Sequence, residues 1–110
     1  MRTLGHELGG VVASVGEKVT RVGLGDHVAI APGETHCTHC RNCQNNHPNL
    51  CSNYGPNNYM GIGRDGGWTK YVEVTEDEVF PLPDDFPYPL VSLCEPYSTI
   101  LNGYRRLGII

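Results

Sequence analysis

Apolar positions come in short bursts along most of this chain and settle into a helical period only near its end. After Gly9–Gly10, residues 11–15 alternate in part, which predicts a strand. Gly16, Gly23 and Gly25 then predict turns around a short strand. Asp26–Ile30 reads as the next strand, with Val28 and Ile30 on one face, and Pro32–Gly33 ends it. Order resumes at Gly67. Trp68, Tyr71, Val72 and Val74 predict a strand, and Val79–Leu82 a shorter one that Pro81 and Pro83 break up. From Tyr88 onward Leu93, Tyr97, Ile100, Leu101, Tyr104 and Leu107 recur at steps of three and four. That is an amphipathic helix, with Pro96 tolerable in its first turn and Gly108 at its end.

Between these elements, residues 34–66 show no sustained period, only Cys, Asn, His, Gly and Pro in polar surroundings. A loop this long inside a compact domain needs something other than apolar packing to order it. Cys37, Cys40, Cys43 and Cys51 supply it. Steps of three place thiolates around a tight turn, where they converge on one tetrahedral ion at about 2.3 Å. Disulfides and an iron–sulfur centre are the alternatives to zinc for such a set. Four protein ligands leave zinc no open position, so the site is read as structural. His36, His39 and His47 stand beside the cluster and are read as solvent-facing, and Cys94 as a buried thiol of the helix start.

Composition narrows the picture. The 110 residues fit one domain or a piece of one, and 14 Gly with 8 Pro favour loops and short strands over long helices. Lys plus Arg number 8 against 12 Asp plus Glu, so a nucleic-acid partner has little electrostatic support; Arg105–Arg106 reads as an exposed helix tail. No apolar run approaches a membrane span, and residues 1–10 lack the pattern of a signal peptide. Tightly spaced cysteines without an export signal favour metal binding in a reducing, cytoplasmic setting.

Other residues stand around the cysteines in a fixed order: Gly5-His6-Glu7 with Gly9, Gly25-Asp26-His27-Val28, Asp65-Gly66-Gly67-Trp68 with Tyr71, and Glu95-Pro96. Together with the cysteine spacing they resemble the zinc-containing medium-chain alcohol and polyol dehydrogenases, from about Leu4 to Leu107. The resemblance implies a mainly β, GroES-like fold over residues 1–110, a partly open barrel with a structural zinc lobe at 34–66 and a C-terminal helix. It also implies an oxidoreductase that moves hydride between an alcohol or polyol and NAD or NADP. In that family His6 matches a histidine ligand of a second, catalytic zinc, and Glu7 matches a glutamate that ligates directly in some members and stands behind the ligands in others. Glu95 matches a ligand position held by cysteine or glutamate, and Thr99 matches a residue facing the nicotinamide ring. Asp26 is read as structural, and Trp68 as core or pocket wall.

Three departures qualify the resemblance. The family's first catalytic-zinc cysteine lies well upstream of its Gly-His-Glu motif, whereas five residues precede His6 here, and the cofactor-binding Rossmann domain would follow the final helix. The chain is therefore expected to be a fragment, truncated on both sides and poor or inactive at hydride transfer by itself. Gly61-Ile62-Gly63-Arg64-Asp65-Gly66 spells a dinucleotide fingerprint but lacks the preceding strand and following helix, so it is not read as a cofactor site. His47 occupies a position where the family has glycine. The alternative to an enzyme fragment is a non-enzymatic zinc-stabilised domain that pairs through exposed apolar surface; homo-oligomerisation is left open, as are the substrate and the choice between NAD and NADP.

Overall fold

The computed structural model describes residues 1–33, 36–54 and 58–110. Residues 34, 35 and 55–57 of the expected lobe, Pro56 and Asn57 among them, lie outside the described residues. Three strands, β1 (Gly9–Val11), β2 (His27–Ile30) and β3 (Val79–Pro81), form an unclosed antiparallel sheet in the order β1-β2-β3. Gly10 pairs with Val28, and Ala29 with Phe80. The central strand is buried at Val28, Ala29 and Ile30 because neighbours cover both of its faces. Val28, Ile30, Met60 and Val79 make the core, with Leu8, Val12, Val22, Val72 and Val74 packed against it.

The expected strands shift at their ends. The ladder of the first starts at Gly9 and stops at Val11; Val12 still donates to the Asp26 carbonyl at 2.9 Å, but Ala13, Ser14 and Val15 are exposed. Residues 68–74 form no strand. Their alternation is real, since Val72 and Val74 face the core while Tyr71 and Glu73 are exposed, yet no backbone among the described residues pairs with them as a ladder. Trp68 is not core either: it is 77% exposed, with its ring lying over Gly5. Asp26 holds its turn as expected, its carboxylate accepting the Gly23 N–H at 2.8 Å.

The glycines of the sequence motifs mark one crossing. Gly66 and Gly67 donate to the carbonyls of Thr3 and Gly5, and Trp68 donates to Leu4. Gly5 (φ +98°) and Gly61 (φ +72°) meet there backbone to backbone, and a Cβ on Gly61 would lie 2.6 Å from the Gly5 carbonyl oxygen. Residues 61–66 are thus a turn closed by Gly61 N–H to Arg64 O, and no helix follows them. Behind the turn, Glu78 is fully buried and ion-paired to Arg64. It also closes a capping box with Thr75 over the 3-10 turn Glu76–Glu78, and accepts the Gly33 N–H at 3.3 Å.

The helical region has two parts. A 3-10 segment, Tyr88–Leu93, runs into an α-helix, Cys94–Arg106. At its end Gly108 (φ +67°) donates to the Arg105 carbonyl and Ile109 to Tyr104, the paired bonds of a Schellman stop. Arg105 and Arg106 sit in the last turn, where the helix dipole favours them. The apolar stripe read from the sequence is present but uncovered: Leu93, Tyr97, Ile100, Leu101, Tyr104 and Leu107 are all exposed. Among the described residues no helix is long and apolar enough to cross a membrane.

Gly61→Ala is expected to destabilise the domain by about 2–4 kcal/mol, since both its left-handed φ and the facing backbone oppose a side chain. Gly10→Ala, with nothing among the described residues within 4 Å of its added Cβ, should change stability by under about 1 kcal/mol, and urea titrations of both variants measure the difference. Glu76 yields a pH prediction. Backbone N–H groups of Thr20 and Arg21 bond its carboxylate and hold its pKa below the ordinary 4.5. That contribution is full above pH 4.5 and is lost as pH falls through the lower folded value, so acid unfolding of Glu76→Gln should be less steep across that window.

Candidate metal centre

The cysteine segment is ordered by consecutive tight turns. Thr38 takes a left-handed conformation (φ +63°), which turns the chain so that the Cys40 N–H points back at the Cys37 sulfur, 3.3 Å away. A single helical turn, Arg41–Gln44 (α1), carries Cys43, and a 3-10 turn, Pro48–Leu50, delivers Cys51. The Cys94–Arg106 helix is α2 in this order. The left-handed residue between the third and fourth cysteines is Asn46 (φ +60°), while His47 has a negative φ of −120°. Asn tolerates that conformation better than most side chains, so a histidine at 47 brings no strain.

All four sulfurs lie within 4.8 Å of one another. Cys37 and Cys43 are 3.9 Å apart, Cys40 and Cys43 3.4 Å, and Cys40 and Cys51 3.9 Å. A tetrahedron with zinc–sulfur bonds of about 2.3 Å has sulfur–sulfur edges of about 3.8 Å, whereas a disulfide requires about 2.05 Å. The donor set fits zinc and excludes cystine. Cys51 is buried and the other three are half-buried. None of the neighbouring histidines enters the cluster. His39 and His47 are exposed as expected, but His36 is half-buried, and His39 is hydrogen-bonded to the Cys37 carbonyl at 2.6 Å. Cys94 stands apart from the cluster, half-buried at the start of α2.

The electrostatics of the four thiols are uneven. Backbone N–H groups of Cys43 and Ser52 pull Cys40 down to about 5. Burial works against ionising Cys51, yet hydrogen bonds from the backbone at Cys37, Asn53 and Tyr54 outweigh it and lower the pKa. Cys43 is pushed up to about 12, by burial first and then by the sulfurs of Cys40 and Cys51. A divalent cation offsets this repulsion, and binding it must displace the Cys43 proton.

A second group of donors forms on the sheet side. His6, Glu7 and Glu95 each offer a ligand atom, and these atoms lie within 4.8 Å of one another. His6 and Glu95 are half-buried and Glu7 is exposed. The Gly5 crossing fixes the approach of His6. Glu95 arrives from the far end of the chain because buried Val91 docks on Gly9, where a Cβ would lie 2.3 Å from a Val91 methyl. The rings of His27 and Tyr88, 5.2 Å apart, pin the same segment to the sheet. Thr99 follows one turn after Glu95, exposed, its hydroxyl 3.5 Å from the Glu95 carbonyl oxygen. Asn53, which the sequence reading passed over, donates to the Cys37 sulfur at 3.3 Å. The one available signal was an amide side chain two positions beyond the last cysteine.

Fold and donor groups together agree with comparison to known proteins. The model of the alcohol dehydrogenase GroES-like domain matches residues 2–84, and the chain belongs to that family. The (R,R)-butanediol dehydrogenase of Saccharomyces cerevisiae is 34% identical, over 96% of this chain and 30% of its own length. Galactitol-1-phosphate dehydrogenase from Escherichia coli superposes with a TM-score of 0.76 at 34% identity, covering 86% of this chain and 26% of that one. An E. coli alcohol dehydrogenase solved with NADH gives a TM-score of 0.81 at 29% identity, over 96% and 30% of the two chains. The chain thus spans between a quarter and a third of the length of these relatives, 26–30%.

Zinc affinity is expected to rise by about tenfold per pH unit around neutrality, because Cys43 enters the site protonated and must lose its proton. Competition titrations against a chelator at several pH values measure the slope. A flat profile would mean that the ion is not held by thiolates of this cluster, and a slope unchanged in Cys43→Ser would mean that Cys43 is not a ligand.

Proposed function

We propose that this chain supplies the zinc-binding part of a zinc-dependent, NAD(P)-linked dehydrogenase acting on alcohols or polyols. Cys37, Cys40, Cys43 and Cys51 would hold the structural ion, and His6, Glu7 and Glu95 would hold a catalytic one. The observation that carries the reading is the convergence of the latter three donors from opposite ends of the sequence. Imidazole with carboxylates is a suitable set for catalytic zinc, which when bound polarises the substrate oxygen and lowers the pKa of an alcohol.

The chain's own residues would work by orientation. His6 presents one ring nitrogen on the short segment before β1. Glu95 is held in the first turn of α2, where the helix N-terminus favours its charge. Glu7, the exposed member, is free to join or leave the ligand set. Thr99 places a hydroxyl one turn beyond Glu95, on the side where the reading puts the nicotinamide ring. Polyol and alcohol substrates are suggested by the butanediol and galactitol-1-phosphate relatives.

A second reading, a zinc-stabilised domain without catalysis of its own, is favoured by the uncovered stripe of α2, where Tyr97 is 70% exposed. Zinc atoms per polypeptide, measured after loosely held ion is removed, distinguish the two. Two atoms, falling to one in Glu95→Ala with the cysteine site still filled, are expected for the catalytic reading. One atom in the unaltered chain would leave the second reading standing.

A further inference from the structure

The hydrogen bonds around Cys37 form a closed set that the cysteine spacing does not explain. The Cys37 carbonyl oxygen accepts from His39 Nδ1 at 2.6 Å. A carbonyl can only accept, so Nδ1 donates, and in this tautomer Nε2 is the ring's acceptor. Asn53 Nδ2 lies 3.2 Å from that acceptor and 3.3 Å from the Cys37 sulfur. An amide NH2 has two hydrogens, and here it meets two acceptors. Turning the amide over would set its oxygen against a lone pair and a thiolate, so the orientation is fixed. Cys37 Sγ also accepts the Cys40 backbone N–H at 3.3 Å, which directs two donors at a single sulfur.

We propose that Asn53 is a positioning residue of the zinc lobe, its amide bridging the Cys37 sulfur and His39 so that one thiolate is aimed at the ion and shielded from attack. The inference rests on reading the four cysteines as a zinc site. Its physical content is that of hydrogen bonds behind metal ligands in general: they fix a ligand's direction and withdraw charge from it. Asn53 and His39 are both exposed, so water competes for each single bond. Sharing one amide between two acceptors is what holds it in place, and His39 is in turn anchored to the backbone of the ligand it serves.

The first test needs no substitution. With 113Cd bound to the unaltered chain, an NMR experiment should detect scalar coupling between cadmium and one side-chain amide proton of Asn53, transmitted through N–H···S. The second test uses Asn53→Ala loaded with Co2+. Loss of the N–H raises the sulfur electrons in energy, so the sulfur-to-cobalt charge-transfer band should move to longer wavelength. Zinc affinity should fall by about tenfold, and a disulfide reagent should eject the ion faster. His39→Ala, which leaves the bond to sulfur, should move these readouts in the same direction by less. Bound metal without coupling to Asn53, together with an unmoved band in Asn53→Ala, would overturn the clamp alone. A chain that shows no thiolate charge-transfer band with Co2+ would remove the zinc reading beneath it.

Discussion

The approach of bare backbone to backbone at Gly5, Gly61 and Gly66 is the constraint on which the rest of the molecule depends. No side chain fits there: a Cβ at Gly66 would lie 2.4 Å from the Gly5 carbonyl oxygen. Because of that crossing, the turn that leaves the cysteine lobe is tied to the segment that bears His6 and Glu7. The same turn sends Met60 into the core and Arg64 toward the buried Glu78. One close contact therefore sets the lobe, the sheet core and the second donor group relative to one another. Gly9 repeats the device on a smaller scale by letting Val91 settle on the sheet.

The lobe is a different kind of structure. Residues 36–54 contribute Cys51 as their one buried apolar residue among the described residues, so apolar burial cannot offset the entropy of ordering them. Local turns take that role, and four sulfurs spaced to suit a zinc ion would reinforce it. The uneven thiols fit it: two are prepared for ionisation by backbone N–H groups, while Cys43 resists until a cation is present. Thr38, a β-branched residue held at positive φ, belongs to these same turns, its hydroxyl donating to the Cys37 carbonyl at 2.6 Å.

Much of this was legible in the sequence where one residue type has one use. Four cysteines at tight spacing in a polar stretch have few alternatives, and Val28 with Ile30 or the three- and four-residue steps of α2 announce their period directly. The family resemblance implied that His6 and Glu95 share a site, and their ligand atoms do lie within 4.8 Å of one another. What escaped depended on partners distant in sequence. Trp68–Val74 carries strand periodicity, but periodicity reports which side faces the core and not whether a neighbouring backbone is there to pair. His47 stands where the resemblance expects glycine, while the chain places the left-handed residue one step earlier, at Asn46. The buried Glu78 and the bridging Asn53 look like ordinary polar surface residues until their acceptors and donors are seen, although Thr75 and Glu78 do spell a capping box.

The place of the lobe in the connectivity has a consequence for the order of assembly. It lies within the connection of about fifty residues between β2 and β3, neighbours in the sheet. Linking Cys37 to Cys51 through an ion removes roughly fifteen residues from that loop. The closure entropy grows only as the logarithm of loop length, so the saving is about 0.3 kcal/mol. Sheet closure is thus expected to be nearly indifferent to whether the lobe is already loaded. Loop length therefore gives metal delivery no reason to precede sheet formation; what ties the lobe to the sheet is Met60 in the core and the Gly61 crossing.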